Sequence, residues 1–245
     1  MAVSSSPATE RKFDNFDAFA SDYRAIHTKT IKITGGDSDY FSEHRALEVK
    51  RRLQEKGIDL RQPLRILDIG CGDGNADRFF VQHLQAVRCE GIDITEPVIA
   101  SAQARNLPHC RFQVYDGEHI PFADNSFDIV FWANILHHVE HRYHAGLYAE
   151  AQRVTKPGGL LFNFEHNPWN PVTRKLVKDC PFDTDAVLLP PPYHRSLALG
   201  AGFANAAVRF TLFFPRFAAF KPLLGLEKYL HSLPLGGQYY IEATK

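Results

Sequence analysis

This 245-residue chain lacks three features that would place it outside the globular proteins of the cytoplasm. Its four cysteines lie far apart without a Cys-x-x-Cys pair, which favours reduced thiols over a disulfide scaffold or a zinc knuckle. It has no stretch of about 18 uncharged apolar residues, and residues 1–13 hold no apolar core of signal-peptide length. We therefore expect a cytoplasmic location and no stable membrane insertion.

An excess of charge of one sign is also missing. Lys and Arg together number 28, as do Asp and Glu, so the chain has no overall basic field to hold a long phosphate backbone. What it does have is 44% hydrophobic and 12% aromatic residues, enough to bury a full core. The composition predicts a globular protein that acts on something other than nucleic acid.

Glycines provide the most informative motif. An apolar run from Ile66 to Ile69 leads into Gly70, Gly72 and Gly74 and then into a helical pattern. Glycines at such a turn permit positive φ and close ligand approach, and the helix start presents free amides to an anionic group. The spacing matches neither the dinucleotide fingerprint nor a phosphate-binding loop. It predicts a small charged, nucleotide-like ligand at the end of the first strand.

Short apolar strands alternate with helical patterns from residue 64 onward, which is typical of a parallel, doubly wound sheet. The predicted strands are Leu64 to Ile69, Cys89 to Ile94, Arg111 to Tyr115, Phe127 to Trp132, Gly159 to Phe164, Ala206 to Phe214 and Gln238 to Thr244. The predicted helices are Phe13 to His27, Tyr40 to Lys56, Ala76 to Leu84, Glu96 to Arg105, Leu136 to Val154 and a short one that ends at Gly200. Between Glu165 and Pro192 the many prolines predict irregular structure.

Acidic residues follow the neighbouring predicted strands. Asp93 comes about 20 residues after the glycines, the distance at which a carboxylate accepts hydrogen bonds from ribose hydroxyls. Asp116 follows the next strand and precedes Gly117 and Glu118. Because open parallel sheets bind ligands at the carboxyl ends of their strands, we expect these acids to lie near the glycine turn.

With Asp68 ahead of it, the glycine motif resembles the first motif of the class I S-adenosylmethionine-dependent methyltransferases. Later segments resemble other motifs of that family in the right order, and together they span about residues 65–164. These segments are Asp116 to Phe122, Ser126 to Val130, Leu136 to Val139 and Arg153 to Gly159. The resemblance implies an α/β fold with a Rossmann-like, doubly wound, mostly parallel seven-stranded sheet, a helical N-terminal cap and an antiparallel C-terminal strand.

The same resemblance implies a reaction and a division of the chain. S-adenosylmethionine is the implied cofactor, S-adenosylhomocysteine the product, and a small molecule the acceptor. Residues 1–60 would form a helical cap or lid, and residues 61–165 the cofactor-binding core. Residues 166–204 would form an acceptor-site insertion, and residues 205–245 the strands that complete the same domain.

Residue roles at the cofactor are implied at the positions that match the family's motifs. The loop 70–74 would pack against the methionyl end, whose amino group Asp68 would hold. Asp93 would take both ribose hydroxyls, and Asp116 with the Gly117 backbone would face adenine. The implied cofactor-binding residues are Tyr23, Asp68, Gly70, Cys71, Gly72, Asp93, Ile94, Asp116, Gly117, Glu118, Asn134 and Ile135.

Methyl transfer from a sulfonium is an in-line displacement, so the enzyme must mainly align the acceptor and exclude water. A hydroxyl acceptor also needs a base, for which histidine is suited near neutral pH. His138 and His166 are the predicted catalytic residues and favour O-methylation, although each could instead serve the structure of its turn. N- or C-methylation of an apolar or lipid-like metabolite stays open, as does a cofactor-binding module without transfer activity.

Two further patterns have more than one reading. His137, His138, His141 and His144 could suggest a metal, but Arg142 would oppose a bound cation and no carboxylate-rich segment accompanies them, so we predict no metal. The segment 210–229 is rich in Phe and Leu but is interrupted by charges and prolines and cannot span a bilayer. Core packing, an apolar acceptor wall and a membrane contact are its alternatives.

Overall fold

The computed structural model describes residues 34–181 and 186–245. Two predictions lie outside these residues, namely the helix over Phe13 to His27 and the cofactor contact at Tyr23. The helical cap is therefore described only for its second helix. The proposed division of the chain into four regions stays a prediction.

Seven strands of the described chain form one sheet. They are β1 (Leu64–Ile69), β2 (Val87–Asp93), β3 (Cys110–Val114), β4 (Phe127–Ala133), β5 (Thr155–His166), β6 (Asn205–Thr211) and β7 (Gln238–Thr244). Their spatial order is β3-β2-β1-β4-β5-β7-β6, with β1 to β5 pairing in parallel and β7 antiparallel to both of its neighbours. The predicted doubly wound, mostly parallel fold is confirmed. The strand order reverses between β1 and β4, which is where such sheets bind ligands.

Helices cover both faces of the sheet. They are α1 (Ser38–Glu55), α2 (Asn75–His83), α3 (Glu96–Ala104), α4 (His141–Val154), α5 (Pro171–Asp179), α6 (Pro191–Gly200) and α7 (Glu227–Leu230), with 3₁₀ helices at Leu136–His138 and Ala218–Leu226. Within β1, Ile66 packs in the cluster with α1 and α2, while Leu67 packs in the cluster with α4 and α6. Apolar residues on both sides of one strand are what a doubly covered parallel sheet requires.

The prediction of one helix from Leu136 to Val154 was wrong. The chain forms a short 3₁₀ turn over Leu136–His138, and α4 begins only at His141. Val139 and Glu140 between them have extended backbone angles, so the helix is interrupted there. His137 and His138 therefore belong to a turn above the sheet and do not share a helix with His141.

The prediction of irregular structure between Glu165 and Pro192 was also wrong in part, because α5 lies within it. The Asn170 side chain caps this helix by accepting hydrogen bonds from the Val172 and Thr173 amides, and Pro171 opens its first turn. An Asn-Pro pair is a typical helix start. None of the helices in the described residues is long and apolar enough to cross a membrane.

Candidate functional site

A cavity of about 470 Å³ lies at the carboxyl ends of β1, β2 and β4, at the reversal of strand order. This is a volume typical of sites for small ligands and cofactors. The cavity brings together most of the residues that the sequence singles out. Those that line it are Asp68, Gly70, Cys71, Gly72, Asp93, Ile94, Gly117, Asn134, Ile135 and His138.

The glycine loop is fixed by backbone geometry that other residues tolerate poorly. Gly70 and Gly72 have φ values of 69° and 56°, in the left-handed region. A Cβ at Gly70 would lie 2.7 Å from Ile135 Cγ2, whereas a Cβ at Gly72 would meet no atom within 4 Å. Gly70 is therefore needed for packing, while Gly72 leaves open space where a ligand can approach the backbone.

Asp93 joins the end of β2 to the glycine loop. Its Oδ2 accepts a hydrogen bond from the Gly72 amide and its Oδ1 accepts one from the Thr95 amide, both at 3.0 Å. Burial raises the pKa of Asp93, although these amides oppose the shift. Each carboxylate oxygen keeps a second lone pair, so the group can also accept hydrogen bonds from ligand hydroxyls.

Asp68 brings an unsatisfied carboxyl to the cavity wall. Its side chain is buried, and its Oδ1 has no hydrogen-bond partner. Burial and the neighbouring Asp77 carboxyl raise the pKa of Asp68 well above its usual range. Burial likewise raises the pKa of Asp77 to about 7. A cationic ligand group at Asp68 would supply the missing partner and favour the ionised carboxylate.

Helix α1 adds a face that the sequence reasoning missed. Ser38, Phe41, Ser42 and Arg45 line the cavity at positions separated by three and four residues, which places them on one side of the helix. Arg45 also donates from Nε to Gln238 Oε1 of β7 at 3.3 Å. The helical spacing was a usable signal, but the sequence did not show what this face packs against.

Two predicted cofactor-binding residues, Asp116 and Glu118, are not part of the cavity wall. The Asp116 side chain is 57% exposed, and its Oδ1 accepts hydrogen bonds of 2.7 Å from the Glu118 and His119 amides. Those bonds, with the His119 amide as the main cause, lower the pKa of Asp116. Gly117 and Tyr115 do line the cavity. Ligand contacts by Asp116 and Glu118 stay predictions.

The histidines after β4 are organised by a buried carboxylate. Glu165 Oε2 accepts a hydrogen bond from His137 Nδ1 at 2.7 Å, and its Oε1 accepts one from the Leu136 amide at 3.0 Å. Burial alone would raise the pKa of Glu165, but the charge and hydrogen bond of His137 lower it to about 2. The His137 ring lies 4.2 Å from His138 and 5.2 Å from His166, between ring centroids. His138 lines the cavity, whereas His166 is not part of its wall.

A possible metal-ligand group occurs in a different place from the histidine cluster. Ligand atoms of Asp77, Cys89 and Cys110 lie within 4.8 Å of one another, outside the cavity wall. A hydrogen bond with Cys110 and burial raise the pKa of the Cys89 thiol well above its usual range. Metal binding needs the thiolate, so this environment works against it. The absence of a metal remains a prediction.

Comparisons with known proteins agree with this architecture. Residues 66–159 match the family model described as a methyltransferase domain. The chain is 35% identical over 131 residues to a demethylmenaquinone methyltransferase of Corynebacterium efficiens, covering 53% of this chain and 54% of that protein. It is 31% identical over 194 residues to a 24-methylenesterol C-methyltransferase of Oryza sativa subsp. japonica, covering 73% and 51% respectively.

Among solved structures, the chain is similar to an S-adenosylmethionine-dependent methyltransferase of Thermotoga maritima described as a possible histamine N-methyltransferase. The TM-score is 0.68 at 19% identity, over 95% of this chain and 99% of that one. Residues 66–159 therefore match a methyltransferase domain, and the chain has the fold of the class I S-adenosylmethionine-dependent methyltransferases. The chain spans about half the length of the curated relatives it matches.

Proposed function

We propose that this protein transfers a methyl group from S-adenosylmethionine to an oxygen atom of a small-molecule acceptor. The observation that carries the cofactor part of the proposal is the buried Asp68 Oδ1, which accepts no hydrogen bond, in the wall of a cavity bounded by the glycine loop and Asp93. The preference for oxygen rests on His138 in the same wall. A buried carboxylate oxygen without a donor is costly, and the ammonium of a methionyl group supplies both donor and charge.

The residues of the cavity fit the other parts of the cofactor. Asp93 would accept hydrogen bonds from the ribose hydroxyls, and Arg45 would pair with the methionyl carboxylate, because its guanidinium is the cation that α1 brings to the wall. Ile94 and Tyr115 offer apolar surface for adenine. When bound, the cofactor supplies an electrophilic methyl group on a sulfonium.

His138 is the proposed base, since it is the predicted catalytic histidine that reaches the cavity. Its imidazole would take the proton of the acceptor hydroxyl as the oxygen bonds to the methyl carbon. Glu165 and His137 would act as positioning residues, because their hydrogen bonds fix the turn that carries His138. His166 would instead contact the acceptor from beyond this turn.

The cavity also protects the methyl group from side reactions. Burial raises the pKa of the Cys71 thiol well above its usual range, so this sulfur stays protonated and is a weak nucleophile. Phe41, Phe131 and Ile135 give the wall an apolar part that limits water. Alignment of the acceptor against the methyl carbon then provides most of the rate enhancement.

A second candidate is C-methylation of a lipid-like acceptor. It is favoured by the 24-methylenesterol C-methyltransferase of Oryza sativa, which the chain matches over 73% of its own length. Such an acceptor would use the apolar part of the wall, and His138 would remove a proton from carbon only after methyl transfer.

The first experiment is calorimetric titration with S-adenosylmethionine, followed by incubation with labelled cofactor and a metabolite extract. We expect micromolar affinity, in the range common for metabolite enzymes, and a methylated product whose attacked atom is identified by mass spectrometry. His138→Ala should lower the turnover of an O-methylated product without changing cofactor affinity. Binding without any methylated product would support a lapsed cofactor-binding module, and absence of binding would contradict the proposal.

A further inference from the structure

The chain between β6 and β7 presents an unusually apolar surface to solvent. Ala218–Leu226 forms a 3₁₀ helix in which no residue is buried. Leu226 is 48% exposed and Tyr229 is 72% exposed. We call this the 212–237 surface, and its exposed large apolar residues are Phe217, Leu223, Leu226, Tyr229, Leu233 and Leu235. Several large apolar residues exposed within one short stretch of chain indicate a site of interaction.

The exposed charges of the 212–237 surface are all positive. Its basic residues Arg216, Lys221 and Lys228 are exposed. Glu227, the single acid in this stretch of sequence, is buried and accepts hydrogen bonds from the Phe213 and Phe214 amides at 2.9 and 3.1 Å. The fold therefore turns the negative charge inward and leaves lysines among exposed leucines.

The apolar surface continues onto the start of α5. Asn170 Nδ2 donates to the Leu235 carbonyl at 2.7 Å, which holds the two segments together. Beside this contact, Trp169 is 50% exposed and Val172 is 58% exposed. Tyr and Trp side chains with one apolar and one polar end are typical of contacts with the bilayer interface.

The same surface approaches the cavity wall through Tyr40. The Arg216 guanidinium lies 4.2 Å from the centroid of the Tyr40 ring, and the Tyr40 ring lies 5.1 Å from that of Phe41. Phe41 lines the cavity. A molecule held at the 212–237 surface near Arg216 would therefore be separated from the cavity by the rings of Tyr40 and Phe41.

We propose that the 212–237 surface docks the protein on an anionic phospholipid bilayer. Exposed leucines and Tyr229 would enter the headgroup region, and Lys221 and Lys228 would pair with lipid phosphates. The positive charge selects an anionic bilayer over a neutral one. The docking itself is independent of the proposed reaction. The corollary that the acceptor is a lipid-like molecule taken up from the bilayer rests on the proposed methyl transfer.

Trp169 provides a direct readout of docking in the full chain. The chain has two tryptophans, and Trp132 is fully buried, so a change in emission on docking would come from Trp169. We expect a blue shift with vesicles of equimolar phosphatidylglycerol and phosphatidylcholine and none with phosphatidylcholine alone. Trp169→Phe should abolish the shift. Equal shifts with both vesicles would overturn the role of the lysines, and no shift with either would overturn docking.

Co-sedimentation with the same vesicles tests the residues. The double variant Leu226→Glu, Tyr229→Glu should lower the partition coefficient at least about tenfold, and Lys221→Gln or Lys228→Gln should each lower it about fivefold. Leu199→Glu is the matched control, because Leu199 is 37% exposed on α6, outside this surface. We expect it to bind as the wild type does. Circular dichroism would confirm that each variant is folded.

A second copy of the chain on the 212–237 surface would give a different result from a bilayer. A wild-type dimer in analytical ultracentrifugation that Leu226→Glu, Tyr229→Glu dissociates, without vesicle binding by the wild type, would assign the surface to a second copy. Cofactor titration separates the two proposals: vesicle binding without cofactor affinity would leave docking intact and overturn the methyltransferase proposal. Cofactor binding and methyl transfer without vesicle binding would support the methyltransferase proposal and overturn docking.

Discussion

The two sides of the cavity are built in different ways. One side, which we propose holds the cofactor, consists of the glycine loop and Asp93; the Gly72 amide donates to the Asp93 carboxylate, and the Gly70 and Cys71 amides donate to the Ile92 carbonyl. The other side, where we propose that the acceptor binds, is the turn that carries His138 after β4, and this turn is fixed by the buried Glu165 of β5, which is distant in sequence. The comparison teaches that short runs of chain at the strand ends specify the side with the glycine loop, whereas the opposite side depends on contacts between distant elements.

The largest expected effect is on the acceptor side. Glu165→Gln should lower the free energy of unfolding by about 3 kcal/mol at pH 7, because it removes a buried charged acceptor from its hydrogen bonds with His137 and the Leu136 amide. The pKa of Glu165 is depressed from 4.5 to about 2, so its stabilisation is present above pH 4.5 and is lost as the pH falls towards 2. Urea unfolding at pH 7 and pH 3 would measure this. If cofactor affinity fell as strongly as stability, the two sides would not be separable.

The next effect concerns cofactor binding. Asp93→Ala should weaken S-adenosylmethionine binding about 100-fold, the loss expected for two hydrogen bonds to a charged acceptor. Asp116→Ala should have less than about a tenfold effect, because hydrogen bonds to an exposed carboxylate compete with water. Asp93→Asn keeps one acceptor for the loop amides and is the control for loop structure. Calorimetry that ranked Asp116 above Asp93 would reverse our assignment of the main carboxylate.

A smaller effect should appear in the pH dependence of stability. The folded-state pKa of Asp77 is raised to about 7 by burial, so the native state holds a proton that the unfolded chain loses near pH 3.8. As the pH rises from 3.8 towards 7, the unfolded chain is ionised at Asp77 while the native state keeps its proton, so the stability of the wild type falls. Between pH 5 and pH 8, Asp77→Asn should lose about 2 kcal/mol less stability than the wild type. Parallel pH profiles for the two proteins would show that Asp77 is not the group that titrates.

The smallest effects separate packing from ligand approach within the glycine loop. Gly70→Ala and Gly72→Ala should each cost about 1 to 2 kcal/mol through the left-handed backbone, with an added clash at Gly70 against Ile135. Gly72→Ala should also weaken cofactor binding, because the added methyl group would occupy the open space through which we propose that the cofactor approaches the backbone. Gly146→Ala is the control, since this exposed helical glycine has no close neighbour, and it should stabilise by about 0.5 to 1 kcal/mol. Unchanged cofactor affinity for Gly72→Ala would place the ligand elsewhere.

Local patterns predicted most of the fold. The bounds of β1 and β7 agree with the prediction, because each is a short, largely apolar run whose residue pattern changes at both ends. The break before α4 escaped prediction because it is accompanied by the contact between the Leu136 amide and Glu165, which lies on a strand later in the chain. The start of α5 did carry a local signal in Asn170 and Pro171, which the density of nearby prolines obscured.

Some residues of the candidate site were likewise predictable from local sequence, and others were not. Asp68, Asp93 and the glycine loop were predictable, because a parallel sheet brings the carboxyl ends of its strands to one edge. Arg45 was not, because the direction in which an amphipathic helix packs is set by tertiary contacts with α2 and β7. Asp116 shows the converse: a strand-end acid can form hydrogen bonds within its own turn and remain exposed.

The sequence by itself determined the class of fold and the place of the cavity at the glycine loop, because alternating strands and glycine spacing act over a few residues. Only the tertiary structure decided which charged groups face the cavity, which histidine reaches it, and that the apolar segment before β7 is exposed with its acid turned inward. These outcomes depend on which distant elements pack together, and burial and charge pairing are properties of that packing.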